Sequence, residues 1–123
     1  MKINIWIVPI LVISINCSNP EKNSHAEMVN ILSKNAIDID PEYDQYYFVR
    51  GQTKSELQDF TSAIKDYSKA IKLDPKEADN YKWRGVAKEE TGNLKGALSD
   101  WNKALKLSDD DEVKQWIAEN KQK

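Results

Sequence analysis

Residues 47–75 read YFVRGQTKSELQDFTSAIKDYSKAIKLDP, and residues 81–109 read YKWRGVAKEETGNLKGALSDWNKALKLSD. The two stretches share residues at one constant offset of 34 positions. The recurring pairs are Tyr47/Tyr81, Arg50/Arg84, Gly51/Gly85, Ala63/Ala97, Asp66/Asp100, Lys69/Lys103 and Leu73/Leu107. A period of roughly 20–50 residues is typical of proteins built from stacked repeats, each of which cannot bury its apolar face alone. The repeat therefore decides the fold.

The second half of each copy carries an apolar stripe. Ile64, Tyr67 and Ile71 recur as Leu98, Trp101 and Leu105. Their spacing of i, i+3 and i+7 predicts one amphipathic helix in each copy.

The first half of each copy contains a glycine, Gly51 or Gly85. A glycine inside a helix costs about 1 kcal/mol relative to alanine. Two glycines at one repeat position therefore indicate that another chain segment passes close by, and we expect them to face Ala63 and Ala97.

Helix boundaries are predicted from capping and turn residues. Asp40-Pro41 and Asp74-Pro75 each place an N-cap residue before a proline suited to a first helical turn, and Glu77 completes a capping box with Asp74. Gln58-Asp59 and Gly92-Asn93 predict short turns, in which Asp59 or Asn93 caps the following helix.

A last helix is predicted near the C-terminus. Ser108-x-x-Asp111 has the pattern of a capping box, and Val113, Trp116 and Ile117 supply an apolar face.

The motif Tyr47-x2-Arg50-Gly51 with Ala63-x3-Tyr67-x2-Ala70-x4-Pro75, and its copy from Tyr81 to Ala104, resembles the tetratricopeptide repeat (TPR), a pair of antiparallel helices. The resemblance implies an all-α fold, a short α-α superhelix. Two full repeats would cover residues 44–77 and 78–111. The second helix of a half repeat would precede them at residues 27–41, and a C-terminal capping helix would follow at residues 112–123.

The first residues have the outline of an export signal. Lys2 is followed by an apolar run over residues 3–15, with no further charge until Glu21. The run is shorter than the about 20 apolar residues that span a bilayer, and it contains Pro9. We therefore expect a signal peptide at residues 1–16.

The apolar run ends in Ser14-Ile15-Asn16-Cys17, which holds the only cysteine. This sequence resembles the lipobox of bacterial lipoproteins, although Ser14 and Asn16 stand where leucine and a small residue are usual. The resemblance implies acylation of Cys17, a flexible tether over residues 17–26 and a lipid-anchored place in the bacterial cell envelope, facing the periplasm or in the outer membrane. The alternatives are a buried structural cysteine and an unprocessed anchor.

Composition argues against two other classes of function. The only histidine, His25, has no free cysteine nucleophile to pair with, so we expect no enzyme activity, cofactor or metal. The net charge is −2, which predicts no nucleic-acid binding. Five lysines, at positions 65, 69, 72, 103 and 106, form either a solvated convex face or a surface for an anionic partner.

In the TPR family, ligands lie in a concave groove formed by the first helices. The matching positions are Gln45, Phe48, Val49, Gln52, Ser55, Asp79, Lys82, Trp83, Val86 and Glu89. Phe48 and Trp83 are the candidate aromatic anchors, unless a terminal helix covers them. Lys82 is the only base at these positions, which disfavours the clamp that some TPR domains use for C-terminal carboxylates.

The resemblance thus implies a membrane-tethered module that binds a segment of a partner protein in its groove. The alternative is a structural or oligomerising subunit of an envelope complex, without a peptide ligand. Self-association is compatible with both.

Overall fold

The computed structural model describes residues 20–123, which contain six α-helices and no β-strand. In chain order the helices are α1 Pro20–Ile39, α2 Asp44–Glu56, α3 Phe60–Leu73, α4 Ala78–Glu90, α5 Leu94–Leu107 and α6 Asp111–Asn120. The predicted signal peptide and Cys17 lie outside the described residues. None of the helices in residues 20–123 is long and apolar enough to cross a bilayer.

Each helix packs on its neighbours in the chain, so the array grows in one direction. α3 lies against α2 and α4, and α5 lies against α4 and α6. α2 also approaches α4. This arrangement of helix pairs confirms the predicted all-α superhelix.

The core consists of one apolar cluster per repeat. Tyr67, with Ala63 and Ala70, is at the centre of the first cluster, and Trp101, with Ala97, is at the centre of the second. Val113 and Ile117 of α6 close the second cluster. The predicted stripe thus contributes Ile64 and Tyr67 to the first cluster and Leu98, Trp101 and Leu105 to the second.

Both repeat glycines lie under an aromatic ring. A Cβ on Gly51 would lie 2.8 Å from Cε1 of Tyr67, and one on Gly85 would overlap the indole of Trp101. The predicted close approach is present. The groups nearest to the two glycines are the rings of Tyr67 and Trp101, which occupy the space that the missing side chains leave.

A buried carboxylate joins the two helices of each repeat. Asp66 on α3 accepts two hydrogen bonds of 2.8 Å from Arg50, and it forms an ion pair of 2.8 Å with Lys54. Asp100 on α5 accepts the same set from Arg84 and Lys88. Arg50 and Asp66 thus recur along the chain because the same contact joins the paired helices in both repeats.

Helices α2 and α4 begin three residues later than the Asp-Pro pattern predicts. Asp40 and Asp74 accept hydrogen bonds from the backbone N–H groups two residues on, in turns that precede the helices. The hydroxyls of Tyr47 and Tyr81 donate to the carbonyls of the two prolines, at 3.1 and 3.0 Å. These bonds hold each proline outside the helix.

The N-caps of α2 and α4 are accordingly Tyr43 and Glu77. The side chain of Glu77 accepts from the N–H of Asp79, so the capping box predicted between Asp74 and Glu77 is wrong. Asp59 and Asn93 do cap α3 and α5, as expected.

The last helix is capped by Asp110, whose carboxylate accepts from the N–H groups of Glu112 and Val113. The capping box predicted for Ser108 and Asp111 is therefore wrong.

Helix α1 includes the half-repeat segment expected from residue 27, but it begins seven residues earlier, at Pro20. Residues 20–26 are helical, so the flexible tether predicted over residues 17–26 is wrong for this part. Ala26 is buried, which gives the extra turns of α1 a packing role that composition did not indicate.

Candidate partner-binding groove

The first helices of the two repeats, α2 and α4, lie side by side. We call the surface formed by the ten predicted positions on these helices the groove. Gln45, Val49 and Gln52 follow one another at i, i+4 and i+7, and therefore share one side of α2. Asp79, Lys82, Val86 and Glu89 have an equivalent spacing on α4.

Phe48 belongs to the core. Its side chain is 9% exposed, and its ring centre lies 5.8 Å from that of Tyr67. Ile37 of α1 packs against the same cluster, so the N-terminal helix contributes to covering it. The expectation that Phe48 is an exposed anchor is wrong, because the ring is needed for packing between helices.

Trp83 is half-buried and packs against the same cluster as Phe48. Trp83 therefore forms part of the floor of the groove and is not a freely exposed anchor. A substitution of Trp83 would therefore disturb the core as well as the surface.

The accessible part of the groove mixes polar and apolar groups. Val49 is 36% exposed, and Gln45 and Asp79 are exposed as well. The half-buried positions are Gln52, Ser55, Val86 and Glu89. The Ser55 hydroxyl lies 3.3 Å from the hydroxyl of Tyr67, which fixes its orientation toward the core.

Lys82 is occupied by two carboxylates. Its ammonium donates to Asp110 at 2.8 Å and to Glu112 at 2.7 Å, and its side chain is 12% exposed. The nitrogen also lies 5.2 Å from the ring centre of Trp116 on α6. The one base among the groove positions is therefore neutralised by α6.

Electrostatics agree with this assignment. Burial lowers the pKa of Lys82, but the hydrogen bonds and charges of Asp110 and Glu112 outweigh it, and the net pKa is raised. The hydrogen bond from Lys82 is the main reason that the pKa of Asp110 is lowered. Both groups are charged at neutral pH, so the pair persists there.

Sequence reasoning missed Asp110, Glu112 and Trp116 as neighbours of the groove. Asp110 is the N-cap of α6, where its negative charge offsets the helix dipole. It also reaches Lys82, which is 28 residues away in the chain. No local pattern carries such a contact.

Elsewhere on the surface, the lysines of the second helices are solvated or stacked. Lys69 and Lys103 lie over the rings of Tyr47 and Tyr81, at 5.6 and 5.9 Å from the ring centres. Within residues 20–123, no three His, Cys, Asp or Glu side chains converge in a group able to hold a metal ion. His25 is exposed on α1.

Comparison with known proteins supports the repeat assignment. The family model described as TPR repeat matches residues 51–92. A search of curated protein sequences finds no significant match.

Several solved structures share the fold. The Arabidopsis OM64 TPR domain is 27% identical, with a TM-score of 0.77 over 83% of this chain and 85% of that one. The first TPR of Spaghetti (RPAP3), bound to the HSP90 peptide SRMEEVD, is 22% identical, with a TM-score of 0.78 over 82% and 81% of the chains. The second TPR domain of human RPAP3, in complex with the HSP70 peptide SGPTIEEVD, is 23% identical, with a TM-score of 0.76 over 83% and 86%.

The match of residues 51–92 and the likeness in fold converge on one identification: the segment carries TPR repeat sequence, and the described chain has the fold of a TPR domain.

Proposed function

We propose that this chain is a membrane-tethered protein-interaction module, which binds an extended segment of a partner protein along the groove. The observation that supports it most directly is the row of Gln45, Val49 and Gln52 on α2, an accessible apolar side chain between two amides, on a fold whose solved neighbours include complexes with peptides. Amides fix a peptide backbone by hydrogen bonds, and an apolar side chain between them adds buried area.

The chemistry of the groove narrows the ligand. Asp79 and Glu89 contribute negative charge, and Lys82 is already paired with Asp110 and Glu112. A free C-terminal carboxylate would meet repulsion there, with no available cation. The segment that fits best is therefore neutral or basic, with an apolar side chain opposite Val49.

A photo-crosslinking amino acid at position 49 tests this proposal in membranes solubilised with detergent. Ser99, exposed on α5, provides the matched control position. We expect a partner to be crosslinked from position 49 and not from position 99. Crosslinks of equal yield from both positions, or from position 99 alone, would show that the groove does not hold the partner.

A Val49→Ala/Gln52→Ala variant gives a second test, because alanine preserves helix propensity and neither side chain belongs to the two apolar clusters. We expect retention of the partner to fall while helicity is unchanged. Full retention by the variant would argue for another surface.

Three features of the sequence support the tether: the basic Lys2 near the start, the apolar run that follows it, and Cys17 just after that run. We propose that Cys17 is acylated after removal of residues 1–16. A single acyl chain gives only marginal membrane binding, whereas two or more give stable anchoring. The expected location is the bacterial cell envelope.

Mass spectrometry of the mature N-terminus tests the tether. We expect an acylated Cys17 as the first residue, and we expect Cys17→Ser to release the protein from membranes. An unmodified thiol on a membrane-bound chain would overturn the proposal.

A further inference from the structure

Helix α1 has a second apolar face, on the side opposite to the one that packs against the repeats. Met28 is 57% exposed, Ile31 61%, Leu32 59% and Ile39 85%. Ile31, Leu32 and Ile39 lie three, four and eleven residues after Met28, so all four share one side of the helix. These four are the majority of the seven exposed large apolar side chains in residues 20–123.

The architecture explains why this face is open. α3 and α5, the second helices of the two full repeats, each lie between two neighbouring helices. α1 stands at the equivalent place of the half repeat, and within the described chain its main contact is with α2. Ala26 and Ser33 are buried on the α2 side, and the apolar side chains opposite them are left exposed by residues 20–123.

We propose that this face lies on the surface of a lipid bilayer. The inference rests on the proposed acylation of Cys17, and it follows from the early start of α1. Only two residues separate Cys17 from Pro20, and three residues of extended chain reach at most about 11 Å. An acyl group in the bilayer therefore keeps the start of α1 at the membrane surface.

The length of α1 fits a helix that lies flat. With a rise of about 1.5 Å per residue, Met28 to Leu32 lie about 12–18 Å from Pro20 along the axis. An amphipathic helix in the interface buries its apolar face about 5–10 Å into the headgroup and acyl boundary. In this orientation the lipid covers Met28, Ile31 and Leu32, while α2 to α6 project away from the membrane.

The charges beside the face indicate which lipids it requires. Glu27, Lys34 and Asp38 are exposed on α1 near the apolar side chains, and they give no excess of positive charge. Attraction to anionic headgroups is then weak, and binding depends on apolar contact. The contact should form on vesicles of neutral phosphatidylcholine and should depend little on salt.

The test uses the acylated protein, in which the thiol of Cys17 is blocked and an introduced cysteine is the only free thiol. Ile31→Cys carries an environment-sensitive fluorophore, and Ser99→Cys on α5 carries the same label as control. On phosphatidylcholine vesicles we expect a blue shift of emission at position 31 and quenching by brominated lipid, with neither effect at position 99. A Leu32→Gln/Ile39→Gln change should reduce both effects at position 31 while the protein remains acylated and bound.

Three results would overturn the inference, and they are distinguishable. An acylated, vesicle-bound protein whose label at position 31 stays in water would refute the lipid contact and leave the tether intact. Absence of the acyl mass would refute the tether and, with it, this inference. A blue shift at position 31 without vesicles, together with a mass that rises with concentration, would show that a second copy covers the face.

Discussion

The ammonium of Lys82 lies 2.8 Å from the carboxylate of Asp110 and so joins the groove face of α4 to the N-cap of α6. From the other side, Val113 and Ile117 hold α6 in the second apolar cluster. The last helix is thus fixed by an apolar contact and by a polar one, and only the polar one depends on pH.

The stabilising effect of Lys82 should therefore disappear in acid. Because the folded pKa of Asp110 is lowered, its contribution to the free energy of unfolding is fully present above the unfolded carboxyl value of about 3.9, and it is lost as pH falls through the lower folded pKa. We expect Lys82→Met to be less stable than the wild type at pH 7 and the difference to narrow below about pH 4. Urea unfolding followed by tryptophan fluorescence measures the free energy of unfolding of the wild type and of Lys82→Met at each pH. A difference between the two proteins that stays constant with pH would contradict the assigned pair.

The same ion pair predicts that the protein has a low affinity for acidic C-terminal peptides. SRMEEVD, the peptide bound to the TPR of Spaghetti (RPAP3), should give no measurable heat in calorimetric titration with this protein, because Lys82 is already neutralised. An Asp110→Asn/Glu112→Gln variant, which frees Lys82, should bind it more than the wild type does. Tight binding by the wild type that Lys82→Met weakens would show that Asp110 is displaced by the ligand.

Removal of a buried carboxylate should destabilise the array. Asp66→Ala leaves Arg50 and Lys54 without their shared partner, and loss of one member of a buried ion pair costs about 3–5 kcal/mol. The side chains of Arg50 and Lys54 are each 23% exposed, so solvent reduces the expected loss to about 2–3 kcal/mol. Lys54→Met, which keeps the two bonds between Arg50 and Asp66, should cost less than about 1 kcal/mol. Chemical unfolding at pH 7 compares them, and equal losses would argue against a shared carboxylate.

The glycine under Trp101 should resist substitution. A Cβ at Gly85 would overlap an indole that is fully buried, so Gly85→Ala should lower the free energy of unfolding by about 1–3 kcal/mol despite the better helix propensity of alanine, worth about 1 kcal/mol. A Trp101→Phe background supplies space and should reduce the penalty. A double-mutant cycle measures this coupling, and additive effects would show that the ring does not cause the restriction.

How far the sequence predicts the structure depends on how many residues of chain separate the two partners of each contact. The glycines, the stripe of Tyr67 and Trp101 and the caps at Asp59 and Asn93 recur with the period, so they could be predicted as elements of one repeating unit. The ring over each glycine could not be predicted, because the periodicity places Ala63 and Tyr67 on the same buried face. Only the packing shows that the rings of Tyr67 and Trp101 lie nearest to the glycines.

The wrong helix starts have a local explanation. An Asp-Pro pair suits both a helix N-cap and the turn before a helix, and the choice is made by the hydroxyls of Tyr47 and Tyr81, which bond the proline carbonyls. The position of α6 over Lys82 was beyond prediction for a different reason. It depends on a contact over 28 residues that, within residues 20–123, has no second copy at the repeat spacing to reveal it.

The two turns within the repeats give a reciprocal prediction. Gln58 and Gly92 occupy the same repeat position, with φ of 62° and 83°. This left-handed conformation costs a residue with a Cβ about 1–2 kcal/mol, a cost that glycine avoids. Glycine has more conformational freedom in the unfolded chain, and this offsets about 0.4–1 kcal/mol of its advantage. We expect Gln58→Gly to raise the free energy of unfolding by about 0.5–1 kcal/mol and Gly92→Gln to lower it by a similar amount. Apart from Gly92 and its two chain neighbours, no residue places a heavy atom within 4 Å of a Cβ at this position, so the second change tests backbone strain without a clash. If both variants unfold at the wild-type urea concentration, the left-handed backbone of these turns does not limit stability, and the predicted strain at Gln58 is refuted.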